Sequence, residues 1–357
     1  MTRHRIARVQ QEVQKRGFDA LLVSSLLHIR YLTGFTGTNG LLILTPTSSI
    51  LLTDVRYALH VREEVKTCKR IIVSQRGLLE EAARRGLFDT VSKVGFAAAQ
   101  VTYAQYRSMR KLFPHVSFAS THDIVEEAII VKDAEEIAQI RAAVKISDRV
   151  FGEVVKVMRP GVRELEIAAE ISYLHRMFGA EGDAFETIVA SGERSAFPHA
   201  RASQKRIRSG ELVTLDFGCV VNGYHSDITR TVLVGKPSRQ ARQLYDAVRT
   251  AQEEAIASAR GGMWARDLDA VARRRVARAG FGKFFQHSLG HGLGLHVHER
   301  PRVSQHSKER LVAGSVITIE PGIYIPTFGG VRIEDDVVLR ETDCEVLSTA
   351  PKDFLVI

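Results

Sequence analysis

The segment Glu211-Leu-Val-Thr-Leu-Asp216-Phe-Gly-Cys-Val-Val-Asn222-Gly223-Tyr-His-Ser-Asp227-Ile-Thr-Arg-Thr231 decides the fold of the C-terminal part of the chain. Two apolar, β-branched runs flank Asn222-Gly223, a pair that readily fills both left-handed positions of a type I′ turn. A two-residue loop pairs Val221 with Tyr224. The same register sets Asp216 opposite Thr229 and Asp227 opposite Gly218. Side chains alternate faces along a strand, so the two acids share a face as a diagonal pair, about 7–8 Å apart or somewhat less between Cβ atoms. Acids facing a core are costly unless something neutralises them. The hairpin alone leaves three answers open: solvent, an arginine such as Arg230 or Arg332, or a cation.

Two segments further along supply more of the same chemistry. Residues 287–301 read His287-Ser-Leu-Gly-His291-Gly-Leu-Gly-Leu-His296-Val-His298-Glu299-Arg-Pro301, with four histidines and three glycines, a composition that excludes a helix core. Ile317-Thr-Ile-Glu320-Pro321-Gly322-Ile-Tyr324 and Gly329-Gly-Val-Arg332-Ile-Glu334-Asp-Asp336 place Glu320 at the end of one apolar run and Glu334 inside another. Acids in apolar strands need a cation, a ligand or a proton. Four carboxylates with one imidazole suit Mn2+, Co2+, Fe2+ or Zn2+, and can neutralise two divalent ions. Such a pair activates water for attack on a carbonyl or phosphoryl centre.

The rest of the chain sets limits. Its 357 residues predict two domains. Of 50 Lys/Arg and 41 Asp/Glu, residues 1–120 hold 18 and 8, so the net charge of +9 originates in the N-terminal third. Those basic residues are scattered, with no aromatic-interleaved or zinc-finger spacing. They predict a solvated basic surface and no nucleic-acid partner. No apolar stretch is long enough to cross a membrane, and no signal-peptide pattern precedes residue 20, which gives a cytoplasmic expectation. Cys68, Cys219 and Cys344 lie far apart and odd in number, as buried small side chains would be, not a disulfide framework.

Residues 1–120 alternate strand-like runs (20–24, 40–44, 49–53, 70–74) with helical patterns (3–16, 55–66, 77–86, 102–113), an α/β domain over 1–124. Residues 125–357 predict an α+β domain. In it, helices at 132–158 and 163–178 lead into strands near 185–190, 211–221 and 224–234. Helices at 238–259 and 266–279 then lead into strands near 285–289, 315–320, 331–340 and 345–348. The order helix-helix-strands occurs twice, a pseudo-two-fold repeat with a shared central site.

With these motifs in place, the sequence resembles the pita-bread metallopeptidases, in particular their proline-specific branch of Xaa-Pro aminopeptidase (aminopeptidase P) and prolidase. The resemblance rests on Leu215-Asp216-Phe-Gly, Gly223-Tyr224-His-Ser-Asp227-Ile-Thr-Arg230-Thr, Gly290-His291-Gly-Leu-Gly, Ile319-Glu320-Pro321-Gly322 and Gly330-Val-Arg332-Ile-Glu334-Asp335. It implies Asp227, His291 and Glu334 at one ion, with Asp216, Asp227, Glu320 and Glu334 serving the pair. It implies His199, in Phe197-Pro198-His199, and His298 near the scissile bond. Arg332 and Tyr324 resemble residues that hold the metal carboxylates, and His287 one that lines the substrate pocket. Residues 1–120, including Leu52-Thr-Asp54-Val-Arg56-Tyr57, resemble the creatinase-type N-terminal domain. Methionine aminopeptidase lacks that domain, and creatinase does not keep the metal ligands. His296 departs from the pattern, standing where an acidic residue often precedes the Val-His pair.

The resemblance implies hydrolysis of an N-terminal Xaa-Pro bond in small peptides. Two divalent ions, Mn2+ first, would activate water, with Glu320 as proton carrier and His199 or His298 beside the developing oxyanion. A prolyl bond lacks the N–H that general peptidases bind, so it needs a compact apolar pocket, for which Phe197, Tyr224, His287 and His296 are candidates. His225 is a further candidate for substrate contact. A homodimer is expected, with Arg56 reaching the partner's site. The leading expectation is a Xaa-Pro aminopeptidase. The alternatives are a prolidase restricted to dipeptides, which needs a cation for the proline carboxylate, and a non-catalytic peptide-binding module on the same fold.

Overall fold

The computed structural model describes residues 2–357, which divide into two compact units, one ending at Ile129 and the other spanning Ile130–Ile357. The boundary expected after residue 124 falls at the start of a helix, Ile124–Ile130, which the division follows.

The first unit holds helices α1 (Thr2–Lys15), α2 (Leu26–Thr33), α3 (His60–Glu64), α4 (Leu78–Arg84), α5 (Tyr103–Leu112) and α6 (Ile124–Ile130). Its strands are β1 (Ala20–Val23), β2 (Leu41–Leu44), β3 (Ser49–Asp54), β4 (Lys69–Val73), β5 (Lys93–Ala97) and β6 (Ser117–Thr121). They form one six-stranded sheet in the order β4-β3-β2-β1-β5-β6. Four of these elements, α2, α6, β5 and β6, are absent from the sequence expectation. Helix α2 carries its own signals, an N-cap at Ser25 and a left-handed Gly34 closing its C-terminus. Strands β5 and β6 carry no period-2 signal and exist because β5 adds in parallel to β1 and β6 adds in parallel to β5. The helix expected over 55–66 is broken into a short 3-10 turn, Val55–Tyr57, and α3.

The second unit follows the predicted order. Helices α7 (Ala134–Val157) and α8 (Glu164–Met177) precede β7 (Gly182–Asp183), β8 (Ile188–Ser191), β9 (Glu211–Phe217), β10 (Cys219–Val221), β11 (Tyr224–His225) and β12 (Ile228–Val234). Helices α9 (Arg239–Ser258) and α10 (Ala265–Arg278) precede β13 (Gly290–Gly292), β14 (Glu299–Val303), β15 (Val316–Ile319), β16 (Gly322–Ile325), β17 (Gly329–Arg332), β18 (Asp335–Leu339) and β19 (Cys344–Val346). The strand expected over 285–289 is not formed. Chain direction there is set by the 3-10 turn Gly282–Phe284, and pairing begins at Gly290.

The deciding hairpin has the register read from its turn. Asn222 and Gly223 sit at φ +49° and +81°, Val221 pairs with Tyr224, and Asp216 pairs with Thr229. Gly218 is required by close approach: a Cβ there would stand 1.8 Å from the carbonyl oxygen of Ser226. The hairpin can therefore close beside Asp227 only without a side chain opposite.

Alternation then sorts the strands. Val213, Leu215 and Phe217 of β9 and Ile228, Val232 and Val234 of β12 pack with α7 and α8 in one core. Ile317 and Ile319 of β15, Val331 of β17, Ile333, and Val337 and Leu339 of β18 pack with α9 and α10 in another. The residues between them point to the opposite strand faces. These include Asp216 on β9, Asp227 before β12, Glu320 after β15, Arg332 on β17 and Glu334 before β18. One physical rule, the two-residue period of a strand, thus turns every predicted acid away from its strand's core residues.

Candidate active site

Asp227, His291 and Glu334 each present a ligand atom, all within 4.8 Å of one another. His291 Nε2 lies 3.7 Å from Asp227 Oδ2 and 3.4 Å from Glu320 Oε1. The opposite ring nitrogen, Nδ1, is 3.1 Å from the carbonyl of Gly292. A carbonyl only accepts, so Nδ1 carries the proton and Nε2 turns a lone pair towards the acids.

Arg332 organises the other side of the cluster. It is 3% exposed, and its guanidinium grips Asp216 through Nη2. Nη1 donates to the Tyr324 hydroxyl at 2.6 Å, and that hydroxyl lies 3.0 Å from His287 Nε2. Nε donates to Thr229 Oγ1 at 3.1 Å, which in turn donates to Glu334 Oε2 at 2.7 Å. Arg332 therefore fixes Asp216 directly and Glu334 through one hydroxyl, while Tyr324 braces the arginine. Arg230, the other arginine considered as a partner for the hairpin acids, goes elsewhere. It donates to Asp335 Oδ1 at 2.7 Å and to the carbonyls of Thr229, Glu334 and Ala350.

The hydrogen bonding leaves a specific remainder. Asp227 Oδ1 and Glu334 Oε1 are buried without a hydrogen-bond partner. Burial, with repulsion from Glu334 and Asp216, raises Asp227 well above the usual carboxylate range. Burial, with Glu320 and Asp216 adding repulsion, does the same to Glu334. Burial pushes Glu320 up to about 8, against the attraction of Arg332 and with Asp216 adding to the rise. Burial and His298 bring His291 down to about 4, so its imidazole is neutral, as a ligand must be. Four clustered acids with one arginine hold more negative charge than the protein neutralises. Orphaned carboxylate oxygens facing a single imidazole lone pair fit hard or borderline divalent cations.

The remaining candidates divide. His298 is exposed, with its ring centroid 4.3 Å from that of His291. His199 and Phe197 stand exposed on the segment after β8, Phe197 at 64%. Arg332 Nη1 reaches the carbonyl of Pro198 between them at 3.4 Å. Burial and Arg332 bring His287 down to about 3, so it is neutral beside Tyr324. His296 is half-buried, and His225 Nδ1 lies 3.1 Å from the Gly294 carbonyl, tying hairpin to loop. Tyr224 is buried, and its hydroxyl donates to Glu136 of α7 at 3.1 Å, bracing the hairpin against that helix. Arg56, in the first unit, makes a two-point contact with Asp54. Sequence reading passed over Arg302, an exposed cation paired across strands with His291. Only the β13–β14 register reveals it, because β14 contains Pro301 and lacks a strand pattern.

Comparison with known proteins identifies the family. Residues 138–341 match metallopeptidase family M24, and residues 5–128 match the creatinase/prolidase N-terminal domain. A protein named Xaa-Pro dipeptidase from Pyrococcus horikoshii is 35% identical over 98% of both chains. The solved structure of a Xaa-Pro dipeptidase from Bacillus anthracis superposes with a TM-score of 0.97 at 35% identity, covering 100% of both chains. That of an X-Pro aminopeptidase from Thermotoga maritima superposes with a TM-score of 0.92 at 37% identity, covering 97% of this chain and 100% of the other. The chain belongs to metallopeptidase family M24, as a metal-dependent hydrolase with a creatinase/prolidase N-terminal domain.

Proposed function

We propose that the protein is a prolidase, hydrolysing Xaa-Pro dipeptides with the help of two divalent ions, Mn2+ first among them. The observation that carries this reading is full-length similarity to a protein named Xaa-Pro dipeptidase, on a chain in which Asp227, His291 and Glu334 present ligand atoms together. This reverses the order expected from sequence, where the aminopeptidase led. The aminopeptidase remains the second reading, favoured by the Thermotoga maritima structure.

In this reading Asp227, His291 and Glu334 hold one ion, and Asp216, Asp227, Glu320 and Glu334 complete the pair. When bound, the ions polarise the scissile carbonyl and lower the pKa of water towards neutrality. Glu320, just after β15, accepts a proton from the attacking water and returns it to the leaving proline nitrogen. His298 and His199 stand where an N–H donor can meet oxyanion charge. In the same proposal the exposed Phe197 ring offers an apolar wall to the pyrrolidine, and His287 and His296 are further candidates for the pocket lining. Arg302 supplies the cation that a dipeptide's proline carboxylate requires, from its position opposite His291. A homodimer with Arg56 at the partner's site belongs to the same proposal, and sedimentation measures it.

The test is release of the first residue from a Xaa-Pro dipeptide, a Xaa-Pro-Xaa tripeptide and a Xaa-Pro pentapeptide by the Mn2+-loaded protein. Hydrolysis of the dipeptide alone is expected. Glu320→Ala should lower kcat by about 10²–10⁴-fold, and Arg302→Ala should raise KM for the dipeptide about tenfold or more. Cleavage of the longer peptides would make the protein an aminopeptidase. Cleavage of none, with metal bound, would overturn both readings.

A further inference from the structure

Lys132 and Glu299 form an ion pair that belongs to neither the acid cluster nor its hydrogen-bonding partners. Lys132 Nζ lies 2.7 Å from Glu299 Oε2, with side chains only 1% and 3% exposed. The other oxygen of Glu299, Oε1, accepts the backbone N–H of His296 at 3.0 Å. One carboxylate thus closes the turn 296–299 on itself and ties it to the segment that leads into α7. That segment is itself fixed, because the backbone N–H of Lys132 donates to the Gly314 carbonyl at 2.9 Å.

The pair is packed tightly under the loop. A Cβ on Gly294 would stand 2.8 Å from both Glu299 Oε2 and Lys132 Cε, so the glycine there makes room for the ion pair. Gly294 also offers its carbonyl to His225, linking the same loop to the deciding hairpin. Between the two anchored positions, 296 and 299, sits His298. Its imidazole has no hydrogen bond of its own among the described residues, while its ring stands 4.3 Å from that of His291. Its place is set by the backbone that carries it, and that backbone is set by Glu299.

A buried ion pair adds little net stability compared with apolar side chains of similar volume. What it supplies here is direction: two fixed oxygens, one on a distant lysine and one on the loop's own amide. We propose that the Lys132–Glu299 pair is a positioning device for His298, holding the loop so that this imidazole stands over the ligand cluster. The inference rests on the prolidase reading for the role of His298, but the placement itself can be measured without activity.

The experiment compares the full chain with Glu299→Gln, with the volume-matched double replacement Lys132→Met/Glu299→Met, with His298→Ala, and with the double replacement combined with His298→Ala. The double replacement removes both charges together and so avoids stranding either. In metal-free protein, ring-nitrogen NMR of ¹⁵N-histidine identifies the His298 signal by its loss in His298→Ala. That signal should shift or broaden in the double replacement, and to a smaller degree in Glu299→Gln, while the His175 signal stays in place. With Mn2+ and a Xaa-Pro dipeptide, the double replacement should lower kcat about 10- to 100-fold, change KM by less than about threefold, and leave metal content unchanged. On the His298→Ala background it should cause no further fall. An unmoved His298 signal would overturn the proposal, as would a full additional loss on that background, which would mark a structural role. A wild type without dipeptide hydrolysis would count against the prolidase reading alone, and the NMR comparison would still decide the placement.

Discussion

Thr229 sits between two charged groups, accepting from Arg332 Nε at 3.1 Å and donating to Glu334 Oε2 at 2.7 Å. It touches the Glu334 carboxylate on the oxygen that is not left orphaned, and so aims the other oxygen. Thr229→Val keeps the shape and removes both bonds. Metal affinity should fall about 10- to 100-fold, read by calorimetric titration, with the fold retained. Asp335 illustrates a different use of an acid one residue away from a proposed ligand. Burial opposes its charge, but Arg230, then Lys352 and Gln252, hold its pKa below the usual carboxylate value. A depressed folded pKa contributes stability that is present above the unfolded pKa and is lost as pH falls through the folded one. Asp335→Asn should therefore lower stability to urea at pH 7. The gap to wild type should close as pH falls below about 4. A gap independent of pH would show that packing, not charge, accounts for the loss.

The elements show how loops are held to the strands. Glu164, at the start of α8, is fully buried and accepts five hydrogen bonds. They come from the N–H and hydroxyl of Ser191, Nε of Arg194, and the N–H and hydroxyl of Ser203. It thus secures both ends of the segment that carries Phe197 and His199. Glu164→Ala strands Arg194 and two backbone donors, and should cost about 3–5 kcal/mol in chemical unfolding. Within the hairpin, Gly218→Ala forces a Cβ against the Ser226 carbonyl, 1.8 Å away in the present backbone. The strands must separate there, and metal binding should fall more than global stability does.

For the whole molecule, the acid and imidazole cluster draws on strands from both helix-pair halves of the second unit. A ligand that binds only the folded state stabilises it by mass action, about 4 kcal/mol at a thousandfold excess over Kd. Calorimetric scans with Mn2+ and with chelator should differ in the transition of the second unit, and Asp227→Asn should remove the difference. Transitions that coincide with and without metal would count against a folded-state metal site.

Much of this was legible in the sequence because it depends on local rules. Asn222-Gly223 fixed the turn through its left-handed backbone, the turn fixed the register, and the two-residue period put Asp216 and Asp227 on one face. Acids inside apolar runs marked Glu320 and Glu334, and glycines with histidines marked the loop of His291. What stayed hidden depends on partners distant in sequence. Strand β5 forms because β1 offers an edge and β6 because β5 does, Arg302 comes opposite His291 only through a ladder that includes a proline, and Tyr224 turns to Glu136 because α7 packs there. The choice among neutralising partners was also tertiary: Arg332 goes to Asp216 and Arg230 to Asp335, since reach and burial, not sequence spacing, decide which charge an arginine meets.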